Sequence, residues 1–195
     1  MIQKQTLYMA ILVSLTLGFL AGSAFTSFKL AGQGQPAPGQ GEPHDHETGE
    51  ETLSPETGAQ ILKLEQHLKE NPEDVKAWTE LGNLFFDANR PTDAIDAYKK
   101  SLALKPGVPE VLTDMGVMYR RNGQPEKAVE TFDQAIQAAP SFETAYFNKG
   151  IVLMHDLNDV EAAVQSWEDL VQINPMAMAP NGEPVKNLIE KMKSR

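Results

Sequence analysis

Apolar and polar positions follow three regimes along this chain. From Leu7 to Phe28 there is no charged residue, and this run of 22 residues is long enough, as a helix, to cross a hydrocarbon core of about 30 Å. From residue 31 no large apolar side chain occurs before Leu53, and Gly, Pro, Gln and then Asp and Glu take over. Such a stretch cannot bury enough surface to order itself, so residues 29–54 read as a flexible linker. From Ser54 onward apolar residues recur at three- and four-residue spacing, the mark of amphipathic helices. Ser54-Pro55-Glu56 offers a hydroxyl cap, a proline at the first helical position and an acid in the first turn, and Ile61, Leu62, Leu64 and Leu68 follow. This predicts a helix over residues 55–71, ended by Asn71-Pro72.

The next hundred residues repeat one pattern three times. Trp78-x2-Leu81-Gly82-x2-Phe85, Leu112-x2-Met115-Gly116-x2-Tyr119 and Tyr146-x2-Lys149-Gly150-x2-Leu153 align, and Gly82, Gly116 and Gly150 are spaced by 34 residues. Each block is followed by a small residue, an aromatic four positions on and a proline: Ala94/Tyr98/Pro106, Ala128/Phe132/Pro140 and Ala163/Trp167/Pro175. The period predicts helix-turn-helix units at 75–108, 109–142 and 143–176. The glycine falls where two helices of a unit approach closely, the alanine and the aromatic supply a hole and a knob, and the proline closes the second helix. One helix pair cannot bury its apolar face alone, so the pairs must stack and the aromatics Trp78, Tyr98, Tyr119, Phe132, Tyr146 and Trp167 are core. The third unit departs from the pattern: Lys149 stands where the others have Leu81 and Met115, and its turn is one residue longer, with 13 positions from Gly150 to Ala163 against 12 in the others. After Pro175 a turn-rich stretch leads to Pro184, and Val185, Leu188, Ile189 and Met192 then mark a short helix over 184–193 that would cover the open end of the stack.

These blocks resemble the tetratricopeptide repeat (TPR) family, whose pattern runs W-x2-L-G-x2-Y, then A-x3-F, then P, over roughly residues 75–176. The resemblance implies an all-α, right-handed superhelical stack of three repeats. Helix 55–71 and the C-terminal helix would cap this domain of residues 55–195, and one transmembrane helix would precede it. It also implies that the second, fifth, ninth, twelfth and thirteenth positions of each repeat line the concave face. Those are Lys76, Thr79, Asn83, Phe86 and Asp87; Glu110, Thr113, Val117, Arg120 and Arg121; Thr144, Phe147, Ile151, Met154 and His155. Chaperone-binding members hold a terminal carboxylate with lysines and asparagines at several of these places. Only Asn83 survives here, since Thr79 and Phe147 replace lysine and Val117 replaces a second asparagine, so the clamp is absent. The candidate peptide-binding groove is then Asn83, Phe86, Val117, Arg120, Arg121, Phe147, Ile151 and Met154. Its apolar members suit an amphipathic helix or extended peptide, and the two arginines would fix an acidic group on it. Packing against neighbouring repeats is the competing use of the same residues.

Composition narrows the function classes. A net charge of −10 argues against nucleic acid, whose phosphates need clustered Lys and Arg. The absence of cysteine removes thiol catalysis, thiolate metal sites and haem attachment through C-x-x-C-H. His44-Asp45-His46 lacks a third and fourth ligand at fixed geometry and reads as linker, so neither metal nor cofactor is expected. No Gly-rich phosphate loop, H-E-x-x-H or G-x-S-x-G occurs, and His67 and His155 lie in separate elements, which points away from an enzyme.

The N-terminus carries residues 1–6 as a short polar tail and then the run 7–28. Cleavage as a signal peptide near Ala24 is one reading, which would release a soluble exported protein. Retention as an anchor is the other, and the length of the run favours it over a signal core of about 7–15 residues. Gly18 and Gly22 have the spacing that lets two such helices pack, so self-association stays open. The expectation is a single-pass membrane adaptor with its repeat domain on the periplasmic side, binding a protein or peptide. Anchored TPR proteins of this kind serve cytochrome c biogenesis or envelope assembly. A self-associating structural membrane protein is the alternative.

Overall fold

The computed structural model describes residues 53–194, and these contain eight α-helices and no strand. The tail 1–6, the apolar run 7–28, most of the linker 29–54 and His44 and His46 lie outside the described residues. Among the described residues no helix is long and apolar enough to cross a membrane.

Helix α1 spans Pro55–Glu70, and the Ser54 hydroxyl that caps it accepts from the Thr57 amide at 3.0 Å. Three antiparallel pairs follow: α2 (Val75–Asp87) with α3 (Pro91–Leu104), α4 (Pro109–Arg121) with α5 (Pro125–Ala138), and α6 (Glu143–His155) with α7 (Val160–Ile173). Helix α8 spans Val185–Lys193, with Pro184 as its flanking residue. Proline opens α3, α4 and α5, where its missing N–H costs nothing. Asp74 and Asp159 cap α2 and α7 through the amides of Ala77 and Ala162.

Within each pair the glycine lies against the ring of the second helix. A Cβ on Gly82 would stand 2.5 Å from the Tyr98 ring, one on Gly116 2.5 Å from Phe132, and one on Gly150 2.2 Å from the Trp167 indole nitrogen. Tyr98 and Phe132 are fully buried, and Trp167 nearly so. Each pair turns through one residue of positive φ, always two places before the second helix begins: Asn89, Gly123 and Asn158. The extra residue of the third turn is absorbed just ahead of that point. In the first two turns Arg90 and Gln124 donate to carbonyls five residues back, on Phe85 and Tyr119, whereas Asp159 donates to Leu153, six residues back, at 2.8 Å.

The apolar core runs from Ile61 to Val152 through α1–α6, and a second cluster joins Tyr146, Val164, Trp167 and Leu170 to Val185 and Ile189 of α8. Helix α8 packs on α7 and closes that end. At the other end, the 34-residue register puts Gln60 and Leu64 of α1 where α3 has Ala94 and Tyr98. Gln60, Lys63 and His67 are exposed, so the face of α1 on which a preceding helix would pack is largely polar, as a cap requires.

The knob-and-glycine contact yields a paired expectation. Gly116→Ala should destabilise the domain by about 2 kcal/mol, because overpacking against a rigid ring outweighs the helix-propensity gain. Gly58→Ala in α1, where an added Cβ meets nothing within 4 Å, should stabilise by about 0.5–1 kcal/mol. Urea unfolding of both variants beside the parent checks this; equal effects would remove the contact from its central role.

Candidate binding groove

The two layers of the stack are spaced unequally. Helix α2 touches α4 and α4 touches α6, whereas no Cα of α3, α5 or α7 comes within 8 Å of a Cα in another of these three helices. Elements closer on one side than on the other bend the stack, so the first helices form the inner face and the second helices splay on the outer one. The splay leaves clefts on the outer face. One of about 430 Å³ lies between α1 and α3 over Leu81 and Phe85, and one of about 480 Å³ lies between α3 and α5 over Leu112 and Met115. In the third pair Lys149 takes the position of Leu81 and Met115, and its ammonium meets Asp133 of α5 at 2.6 Å. The sequence departure at Lys149 thus puts an ion pair where the other repeats have an apolar floor.

On the inner face Phe86, Val117, Phe147, Ile151 and Met154 are all half-buried. Phe86 and Val117 pack against the larger core, while Phe147, Ile151 and Met154 pack against the cluster under α8. Phe147 stacks on Trp167, ring centres 6.2 Å apart, and its carbonyl accepts from the indole N–H at 3.2 Å. Each side chain therefore serves packing with one edge and offers the other to the groove. Asn83 is exposed, but its side-chain oxygen accepts from the Tyr98 hydroxyl at 2.9 Å.

The arginines have contacts of their own within the stack. Arg120 donates to Asp156 at 2.6 Å, tying the second pair to the third, and Arg121 lies 4.6 Å from the centre of the Phe86 ring with a hydrogen bond of 3.3 Å to the Phe86 carbonyl, tying the second pair to the first. The fifth positions do not line the face as a set. Thr113 is 3% exposed, and Thr79 turns toward α3, its hydroxyl 2.7 Å from that of Ser101. Of the two histidines set apart as lone residues, His155 is exposed and His67 meets Asp74 at 2.9 Å on the surface between α1 and α2.

Asp114 was not anticipated. It sits partly buried on α4, where burial, with Asp87 and Glu110 as like-charged neighbours, lifts its carboxyl to about 6. Tyr98 feels the same surroundings: burial first, then Asp114 and Asp87, push its hydroxyl above the usual tyrosine range. The available signal was the i, i+4 pair of acids Glu110 and Asp114 on a helix that also faces Asp87. The seam between α2 and α4 is thus a carboxylate-rich stretch of the inner face.

Comparison with known proteins follows the same lines. The model of the family described as "Cytochrome c-type biogenesis protein H TPR domain" matches residues 45–178. Among curated relatives, the human Protein O-mannosyl-transferase TMTC3 is 24% identical over 129 residues, which are 66% of this chain but 14% of that protein. A crystal structure of MamA protein superposes with a TM-score of 0.62 at 22% identity, covering 71% of this chain and 74% of that one. The first TPR of Spaghetti (RPAP3), bound to the HSP90 peptide SRMEEVD, does so with a TM-score of 0.54 at 22% identity, covering 62% and 93%.

The environment of Asp114 fixes a pH dependence. Its folded-state value, about 6, lies above the ordinary 3.8, so the protonated form favours folding. That contribution is complete below about pH 4 and is lost as pH rises through 6. At pH 7 Asp114→Asn should therefore stabilise the domain by about 1 kcal/mol, a figure reduced for the solvent-exposed edge of the group. Thermal melts of parent and variant should differ at pH 7 and converge at pH 4; an unchanged difference would rule out Asp114 as the source.

Proposed function

Because this chain belongs to the family of the cytochrome c-type biogenesis protein H TPR domain, we propose that it is a membrane-anchored, non-catalytic adaptor. It holds a segment of a partner protein in the groove formed by α2, α4 and α6 during assembly of a cytochrome or envelope complex. The observation that carries this reading is the half-exposed apolar stripe of Phe86, Val117, Phe147, Ile151 and Met154 on the inner face of a capped stack. Side chains with one edge packed and one edge free form a preorganised floor, which lowers the entropy cost of docking a helix or strand. A TPR neighbour of the same fold carries a bound peptide, which supports the peptide as ligand class. The apolar run 7–28 supplies the anchor and residues 29–54 the tether, with the domain on the periplasmic side.

Extension of the stack end to end, the basis of a purely structural role, finds little support. The outward positions of α1 are largely polar, with Leu62 as the exposed apolar exception, and α8 covers α7. A photoreactive residue at Met154, with one at Lys100 on the outer face as control, separates the two readings in intact membranes. The adaptor predicts a crosslinked partner polypeptide from Met154 alone, lost on Ile151→Asn. Crosslinks only between copies of this chain would favour the structural role.

A further inference from the structure

The charged groups of the inner face do not balance along its length. Arg120 is spent on Asp156, and the Arg121 guanidinium stands 4.6 Å from the centre of the Phe86 ring and donates to the Phe86 carbonyl. Lys76 stands at the N-terminal rim, on the first turn of α2. Between them, at the seam where α2 touches α4, Glu110 and Asp114 stand one turn apart on α4 and Asp87 ends α2; Asp87 and Glu110 raise the cost of ionising Asp114, and no ion pair joins any of the three to a cation within the described residues. The far end of the face, over the third pair, is apolar, with Phe147, Ile151 and Met154 half-exposed. A docking segment therefore meets excess negative potential at one end and an apolar floor at the other.

Accepting the groove as the binding face, we infer that its occupant is a basic amphipathic segment. Its cationic side chains lie over the α2–α4 seam, and its apolar side chains lie against Phe147, Ile151 and Met154. A cation placed among Asp87, Glu110 and Asp114 offsets the repulsion and desolvation that Asp114 bears, so binding recovers part of a cost already present in the fold. An acidic segment adds to that cost. A peptide such as SRMEEVD, held by the neighbour of the same fold, is on this argument the wrong charge for this groove.

The test uses the full-length chain, purified in detergent, and three 15-residue peptides with one leucine pattern and Lys, Gln or Glu at every polar position. Fluorescence anisotropy at physiological salt reads their affinities. The Lys peptide should bind at least tenfold more tightly than the Glu peptide, and Asp87→Asn with Asp114→Asn should bring it down to the level of the Gln peptide. Glu65→Gln with Asp96→Asn, on the outer cleft, removes the same charge and should leave the ranking intact, which separates a groove effect from attraction to an acidic protein. Equal affinities for Lys and Glu peptides, or an outer double variant as damaging as the inner one, would overturn the inference. The groove itself is read separately with the Gln peptide and Ile151→Asn/Met154→Asn. If the Gln peptide binds and this variant abolishes it while charge has no effect, the groove stands and its charge preference falls. If no peptide binds, or this variant changes nothing, both fall.

Discussion

The contact on which this architecture depends is a bare glycine backbone against an aromatic face. At Gly82, Gly116 and Gly150 the space a Cβ would need is already filled by Tyr98, Phe132 and Trp167. The ring therefore lies on the backbone itself, which sets the helix separation within each pair more sharply than two interdigitating side chains could. With pair geometry fixed three times over, the only freedom left is how one pair sits on the next. The backbones of the first helices approach one another and those of the second helices stay apart, and the bend that follows creates an inner face and outer clefts together. Groove and clefts are thus two consequences of a single packing decision.

The third pair shows how far the rule can be relaxed. Its turn carries one more residue, yet the left-handed position is kept at Asn158 and the extra length is taken up by the longer reach from Asp159 to Leu153. Its first helix carries Lys149 at a floor position, and the ion pair with Asp133 reaches from α6 to α5. Being half-exposed, this pair contributes little stability, less than about 1 kcal/mol. Its effect is on chemistry, since it sets a charged pair at the position where the first two repeats have Leu81 and Met115 as cleft floor. The same pair opens the cluster shared with α8, so the end of the stack is finished by local chemistry and not by a further repeat.

Most of this was legible in the sequence because it follows from periodicity. The 34-residue spacing, the glycines and the aromatics determine which helices exist and which faces meet, and α1 and α8 were readable as caps from their own start signals. The face of the groove was legible only in outline. Thr79 and Thr113 share a repeat position, but Thr79 finds the Ser101 hydroxyl on α3 whereas the register puts Ala135 opposite Thr113, which is buried without a partner for its hydroxyl. Arg120 and Arg121 are legible as the twelfth and thirteenth positions of their repeat, but their partners Asp156 and Phe86 belong to other repeats, and contacts between repeats have no fixed sequence offset to betray them. Asp114 was missed for the opposite reason: its significance lies in Asp87 and Glu110 around it, not in its own position in the motif.

A repeat protein of this kind has few places in which to be specific. The motif positions are committed to holding the pairs together, and the ends are committed to closure. What remains is the set of inner-face side chains that the motif leaves unspecified, and here these include a partly buried carboxylate that folding alone would rather do without. Replacing Asp114 by a neutral residue of similar shape would ease a local conflict, since burial and two like charges all oppose its ionisation. Local choices that conflict with folding concentrate at sites where function sets the terms. The carboxylates at the α2–α4 seam and the half-exposed apolar edges over α6 are therefore the features of this fold least explained by stability, and the ones that a partner's side chains would have to match.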